Sequence, residues 1–121
     1  MSIIGMANCT AASAADSYVD KNVSEFNDYI KEPGVQLIDV RTPEEYAEGH
    51  ISGSTNINYY DSNFVTECEN ELDKNRPVAV YCRSGHRSGL AARALSKAGY
   101  SVTNLEGGIL AWNAANMPTI K

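Results

Sequence analysis

A chain of 121 residues, 43% apolar and 21% charged, has the length and composition of one globular domain with its own core. Its net charge of −5 excludes general binding to nucleic acid or to an anionic membrane surface, and no apolar run reaches the length of a transmembrane helix. Three cysteines with no C-x-x-C, and two histidines at no ligand spacing from them, exclude a disulfide framework and a structural zinc site.

The first sixteen residues, "MSIIGMANCTAASAAD", fit no regular element. "TAASAAD" is similar to the small-residue end of a secretory signal, although a charged start and a full apolar core are missing. Two readings stay open. Residues 1–15 are a truncated export signal, which would place the protein in the periplasm, or they are a flexible tail on a cytoplasmic protein. The domain itself is expected over residues 17–121.

From residue 17 the chain alternates in type. "SYV" (17–19) is a short strand candidate. Asn22 to Lys31 reads as a helix, with Asn22 as N-cap, Glu25 three residues on, and Pro33-Gly34 as the stop. "VQLIDV" (35–40) is a strand. "TPEEYAEGH" opens a short helix with Thr42 as cap, Pro43 in the first turn, Glu45 reaching back and Gly49 at the end. "STNINY" (54–59) is a third strand candidate, weakened by its polar alternation. Asp61 is expected to cap a helix on which Phe64, Cys68 and Leu72 fall four apart, giving Cys68 a core-facing role.

"VAVYC" (78–82) is apolar on both faces, as a central parallel strand must be. "SGLAARALSKAG" (88–99) predicts a helix with Leu90, Ala91, Ala94, Leu95 and Ala98 as its buried stripe and Gly99 at its end. "SVTNL" (101–105) is the last strand, and "GGILAWNAANMP" closes with a helix that buries Trp112. Strands alternating with helices predict an α/β fold: an open, mostly parallel five-stranded sheet with helices on both faces. Ligands of such sheets bind beyond the carboxyl ends of the strands, where Cys82, Asp39 and Arg41 all fall.

Charge is segregated around that point. No Asp or Glu occurs between Lys74 and Leu105, whereas Lys74, Arg76, Arg83, Arg87, Arg93 and Lys97 lie within that window. The short loop "RSGH" after Cys82 leads into a helix, so its backbone N–H groups form an anion-binding nest at the positive end of a helix dipole. Gly85 supplies the backbone freedom the turn needs. A free thiol is only a few per cent ionised at neutral pH, and helix N-termini and nearby cations shift it toward the thiolate. Cys82 is therefore read as an anionic nucleophile whose cradle also holds an anionic substrate.

"LIDVRTPEEYAEGHISGSTNI" (37–57), "VYCRSGHRS" (80–88) and "NLEGGILAW" (104–112) together resemble the signature segments of the rhodanese family of sulfurtransferases, in the family's order and spacing. The resemblance extends over nearly everything from residue 17 onward. It implies a rhodanese-like fold and a ping-pong reaction with no cofactor, metal or organic. Cys82 would take sulfur from a small anionic donor such as thiosulfate, become a persulfide, and pass the sulfur to cyanide or a thiol acceptor. Arg83, Ser84, Gly85, His86, Arg87 and Ser88 match the family's active-site loop and would bind substrate, with Asp39 and Arg41 as supporting residues. Ser52 and Ser54, where the family more often has Pro and Ala, depart from the pattern at a turn.

Two rivals define what the structure must decide. A cysteine phosphatase or arsenate reductase would use a C-x5-R loop wide enough for an oxyanion, whereas Cys82 and Arg87 are spaced C-x4-R. A sulfur-relay or regulatory module would act on a protein partner. Of the remaining residues, Arg83 is expected to face solvent and capture anions, and Arg87 either does the same or pairs with Asp39 or another carboxylate. His50 is expected to tie down a turn, and no role follows for Cys9.

Overall fold

The computed structural model describes residues 17–121, so the two readings of residues 1–16 fall outside it. Five strands and five helices follow one another in the order β1 (Val19–Lys21), α1 (Val23–Ile30), β2 (Gln36–Asp39), α2 (Pro43–Glu48), β3 (Thr55–Asn56), α3 (Phe64–Glu71), β4 (Val78–Tyr81), α4 (His86–Lys97), β5 (Val102–Leu105) and α5 (Gly108–Ala114). The strands form one sheet in the order β1-β5-β4-β2-β3, and every pairing is parallel.

Alternation along the strands divides the core in two. Ile38, Val78, Val80 and Cys82 face a cluster with Phe64 and Cys68 of α3 and with Ala91, Ala92 and Leu95 of α4. Leu37, Ala79 and Tyr81 face the other cluster, with Phe26 of α1 and with Ile109 and Trp112 of α5. This period of two, read from both sides, is why β4 is apolar throughout: each of its residues belongs to one core or the other.

Local signals place the helix starts. Both capping boxes form: the Asn22 side chain accepts the Glu25 N–H at 2.9 Å, and the Thr42 hydroxyl accepts the Glu45 N–H at 3.3 Å. Other boundaries differ from the sequence expectation. β1 begins two residues later than "SYV", because its partners are Thr103, Asn104 and Leu105 of β5. Asp61 does not cap α3: the N-cap is Asn63, and Asp61 instead accepts the Phe64 N–H through its backbone carbonyl at 3.1 Å. The buried face of α4 is Ser88, Gly89, Ala91, Ala92, Leu95 and Ser96, while Leu90 is exposed. Small residues bring α4 close to its neighbours, and the Tyr18 hydroxyl lies 3.1 Å from where a Gly89 side chain would begin.

β2 and β4 are neighbours at the centre of the sheet, yet the chain leaves them in opposite directions, toward β3 and toward β5. That reversal opens a crevice at their carboxyl ends. It holds the Cys82 loop.

Candidate functional site

Cys82 is the first residue beyond β4, and α4 starts at His86, so only Arg83, Ser84 and Gly85 make the turn. The helix begins earlier than the Arg87 or Ser88 of the sequence reading, which tightens the loop. Gly85 is its N-cap at φ 100°, a left-handed conformation that glycine adopts without strain. The Gly85 N–H donates to Cys82 Sγ at 3.1 Å, and the Ser88 hydroxyl donates to the same atom at 3.3 Å. The amides of His86, Arg87 and Ser88 precede the first full turn bond of α4, from the Gly89 N–H to the Gly85 carbonyl at 3.0 Å. Cys82 Sγ thus sits at the positive end of a twelve-residue helix with two donors aimed at it.

The loop is held from outside by backbone rather than side chains. The N–H of Ile109 donates to the Cys82 carbonyl at 2.9 Å, and that of Leu110 donates to the Arg83 carbonyl at 3.1 Å. A Cβ on Gly108 would lie 2.4 Å from the Arg83 carbonyl oxygen, and one on Gly85 would lie 3.3 Å from the Gly107 nitrogen. "EGG" is therefore a second wall of the site. The sequence marks this segment as part of the family resemblance but gives it no role at the site, although two adjacent glycines after a strand signal a close backbone approach. A third element, buried Asn104 of β5, reaches the loop from below. Its Nδ2 donates to Asp20 Oδ1 at 3.0 Å and to the Gly85 carbonyl at 3.5 Å, while its Oδ1 has no hydrogen-bond partner among the described residues.

Arg87 is committed elsewhere. Its guanidinium donates to both carboxylate oxygens of Glu45, at 2.7 and 2.9 Å, and the Tyr60 ring lies over it at 5.3 Å. The hydrogen bonds from Arg87 pull the Glu45 carboxyl down to about 2 and raise the Arg87 guanidinium in turn. The partner is thus a residue read only as part of a capping box. Glu45 serves both purposes, since its Oε1 also accepts the Thr42 N–H at 3.0 Å.

Asp39 and Arg41 share the carboxyl end of the sheet with Cys82 but lie on the opposite face, beside Tyr81. Arg41 donates to Asp39 through its own N–H, Nε and Nη2, and to the Gly49 carbonyl at 2.7 Å. Burial opposes the charge on Arg41, but the bonds and attraction of Asp39 outweigh it and raise its pKa. The pair bridges the two ends of α2 and does not contact the thiol. His50 is likewise structural in its contacts: its ring stacks on Tyr46 at 3.7 Å, and its backbone bridges to Ile120.

The positive window of the sequence is correspondingly thinned. Lys74 pairs with Glu69, Arg76 donates to the Gly34 carbonyl, and Arg87 pairs with Glu45. Among the described residues Arg83, Arg93 and Lys97 have no ion pair, and of these Arg83 stands in the loop itself. Ser84 and His86 are exposed beside it. No helix among the described residues is long and apolar enough to cross a membrane, and no described group of His, Cys, Asp and Glu is placed to hold a metal ion.

Comparison with known proteins identifies the family and the fold. The family described as "Rhodanese-like domain" matches residues 22–115. A sulfurtransferase of Allochromatium vinosum is 39% identical over 87 residues, covering 71% of this chain and 78% of its own. The thiosulfate sulfurtransferase GlpE of Pseudomonas paraeruginosa is 37% identical over 86 residues, covering 70% and 76%. Among solved structures, a rhodanese-related protein from Thermoplasma volcanium superposes with a TM-score of 0.74 at 32% identity, covering 85% of this chain and 98% of that one.

Proposed function

The chain belongs to the rhodanese family, and from that premise we propose that it is a sulfurtransferase whose Cys82 carries sulfur as a persulfide, with thiosulfate as one competent donor. One observation carries the assignment to Cys82: its Sγ, at a helix N-terminus, accepts hydrogen bonds from the Gly85 N–H and the Ser88 hydroxyl. Donors of this kind favour the thiolate, which is the nucleophile.

In the loading step the Cys82 thiolate attacks the outer sulfur of thiosulfate. A Cys82–sulfur bond forms, the donor's sulfur–sulfur bond breaks, and sulfite leaves with that electron pair. In the discharge step an acceptor thiolate attacks the terminal sulfur of the persulfide, and Cys82 departs as the thiolate it began as. Cyanide accepts the same sulfur as thiocyanate. Gly85 and Ser88 hold the negative sulfur at the start and end of each cycle. Arg83 and the first turn of α4 attract the anionic donor.

The same loop argues against phosphoryl chemistry. A phosphate clamp needs an arginine fork free to take two oxygens. Arg87 is the arginine at that place, and its fork is filled by Glu45 at 2.7 and 2.9 Å.

The test is intact-protein mass after thiosulfate and then after cyanide, on wild type and Cys82→Ser. Wild type is expected to gain one sulfur atom and release it as thiocyanate, and the variant to gain none. Uptake by the variant, or no uptake by wild type from thiosulfate or polysulfide, would overturn the assignment.

A further inference from the structure

Asn104 is a buried amide in the middle of the sheet, 3% exposed. Its register partners are Val80 of β4 and Asp20 of β1, so the three side chains form a row across one face. That face carries Val102, Val80 and Cys82 and is covered by α4. Asn104 Nδ2 donates to Asp20, exposed at the sheet edge, and to the Gly85 carbonyl in the loop, while Oδ1 has no hydrogen-bond partner among the described residues. A buried acceptor left unmatched is destabilising. An apolar side chain there would remove that cost and strand no partner, because the Gly85 carbonyl keeps the Gly89 N–H and Asp20 keeps solvent. Stability therefore does not account for this amide, and rules of packing are broken where function requires it.

The Gly85 carbonyl shares its peptide group with the His86 N–H. No peptide bond among the described residues is cis, so the two point in opposite directions. The carbonyl is held by the Gly89 N–H at 3.0 Å and by Asn104 Nδ2 at 3.5 Å. The His86 N–H is thereby aimed out of the first turn of α4, at the end of the helix where Cys82 Sγ sits. As the first amide of that helix it has no helical carbonyl to meet. A second donor on the carbonyl also polarises the group and strengthens its N–H. We infer that Asn104 is a positioning residue for sulfur transfer: anchored by Asp20, it orients and polarises the Gly85–His86 peptide, whose N–H stabilises negative charge in the Cys82 loop. Asn104 acts through that peptide and forms no hydrogen bond with Cys82. The inference rests on Cys82 being the nucleophile, as proposed above.

The experiment follows Cys82 alkylation against pH, with urea midpoints and the rate of sulfur loading from thiosulfate measured on the same proteins. The charged and titratable groups about the loop are Arg83, His86 and the Arg87–Glu45 pair, and every variant leaves them in place. Asn104→Leu keeps the branch at Cγ and removes both polar atoms. The pH of half-maximal alkylation is expected to rise by about half a unit, which is about a threefold loss of rate below it. Loading should slow by a similar factor, while the urea midpoint holds or rises. A residue that only packs would do the reverse, lowering the urea midpoint and leaving the alkylation profile alone. Asp20→Ala and Asp20→Asn make a second comparison. Both remove the charge and only Asp20→Asn keeps an acceptor for Nδ2, so their difference reads the hydrogen bond. Asp20→Ala is expected to alkylate about twofold more slowly than Asp20→Asn at low pH. An unshifted profile in folded Asn104→Leu, or equal profiles in the two Asp20 variants, would overturn the assignment, and the Asp20 comparison decides alone if Asn104→Leu does not fold. Alkylation needs no sulfur donor, so a wild type that fails to load sulfur would sink the persulfide and not the role of Asn104.

Discussion

Cys68 and Cys82 belong to the same apolar cluster, and both are 0% exposed, yet their surroundings differ in kind. Cys68 lies inside α3 among packed side chains. Burial pushes its thiol up to about 12, helped by Glu67, Glu69 and Glu71 on its own helix. Cys82 lies where β4 ends and α4 begins, with a backbone N–H and a hydroxyl directed at its sulfur. Depth alone does not make a thiol inert or reactive. The polarity of what the backbone presents to the sulfur does, and a helix N-terminus presents N–H groups where a helix interior presents none.

The sharpest way to break this contrast is alkylation at neutral pH, followed by peptide mapping. With its thiol pushed up to about 12, roughly one Cys68 in 10⁵ is ionised at pH 7. Cys82 is expected to react about a thousandfold faster or more. Equal labelling would show that access, not ionisation, governs both. Gly108→Ala attacks the wall of the loop rather than its donors. Its Cβ would meet the Arg83 carbonyl at 2.4 Å, and φ is 61°. We predict a loss of about 3 kcal/mol in denaturant stability, with sulfur transfer reduced more than tenfold. A variant of wild-type stability and activity would mean that α5 does not brace the loop.

Ser88→Ala removes one donor and leaves the backbone untouched. The expected effect is about a tenfold slower alkylation of Cys82, the value of one hydrogen bond to a charged group. An unchanged rate would assign the activation to Gly85 and the helix alone. The smallest effect is expected from Glu45→Gln, read as stability against pH. The Glu45 carboxyl stands at about 2 when folded, below its ordinary 4.5, because Arg87 bonds to it. A depressed carboxyl contributes stability above 4.5 that is lost as pH falls toward 2. The gap in urea midpoint between wild type and Glu45→Gln should therefore hold from pH 7 to 5 and close between 4.5 and 2. A gap that persists at pH 2 would locate the loss in packing rather than charge.

Much of this was legible in the sequence because it is local. Both capping boxes, the apolar β4, the glycine-bearing turn after Cys82 and the core role of Cys68 follow from residues within a few positions of one another. What escaped is one pairing between elements distant in sequence and two details of local geometry. Arg87 meets Glu45 across 42 positions, and nothing near Arg87 names Glu45 among fifteen acidic residues. Asp39 and Arg41 were placed at the right end of the sheet, but a strand's alternation decides the face, and it turns them away from Cys82. Asp61 failed as a cap because its backbone carbonyl, not its carboxylate, meets the first amide of α3.

The wall formed by Gly107 and Gly108 carries a consequence for how the protein is made. Chains emerge from the ribosome N-terminus first, and Cys82 emerges before the residues that brace its loop. A chain ending before Glu106 would hold the cysteine, the turn and α4, but not the amides of Ile109 and Leu110 that fix the Cys82 and Arg83 carbonyls. The expectation is that reactivity arrives last, once β5 and α5 have docked. Ribosome-bound chains of increasing length, probed with a thiol reagent that labels Cys82, should show the step after residue 110 clears the exit tunnel. An earlier step would mean that the turn matures without its outer wall.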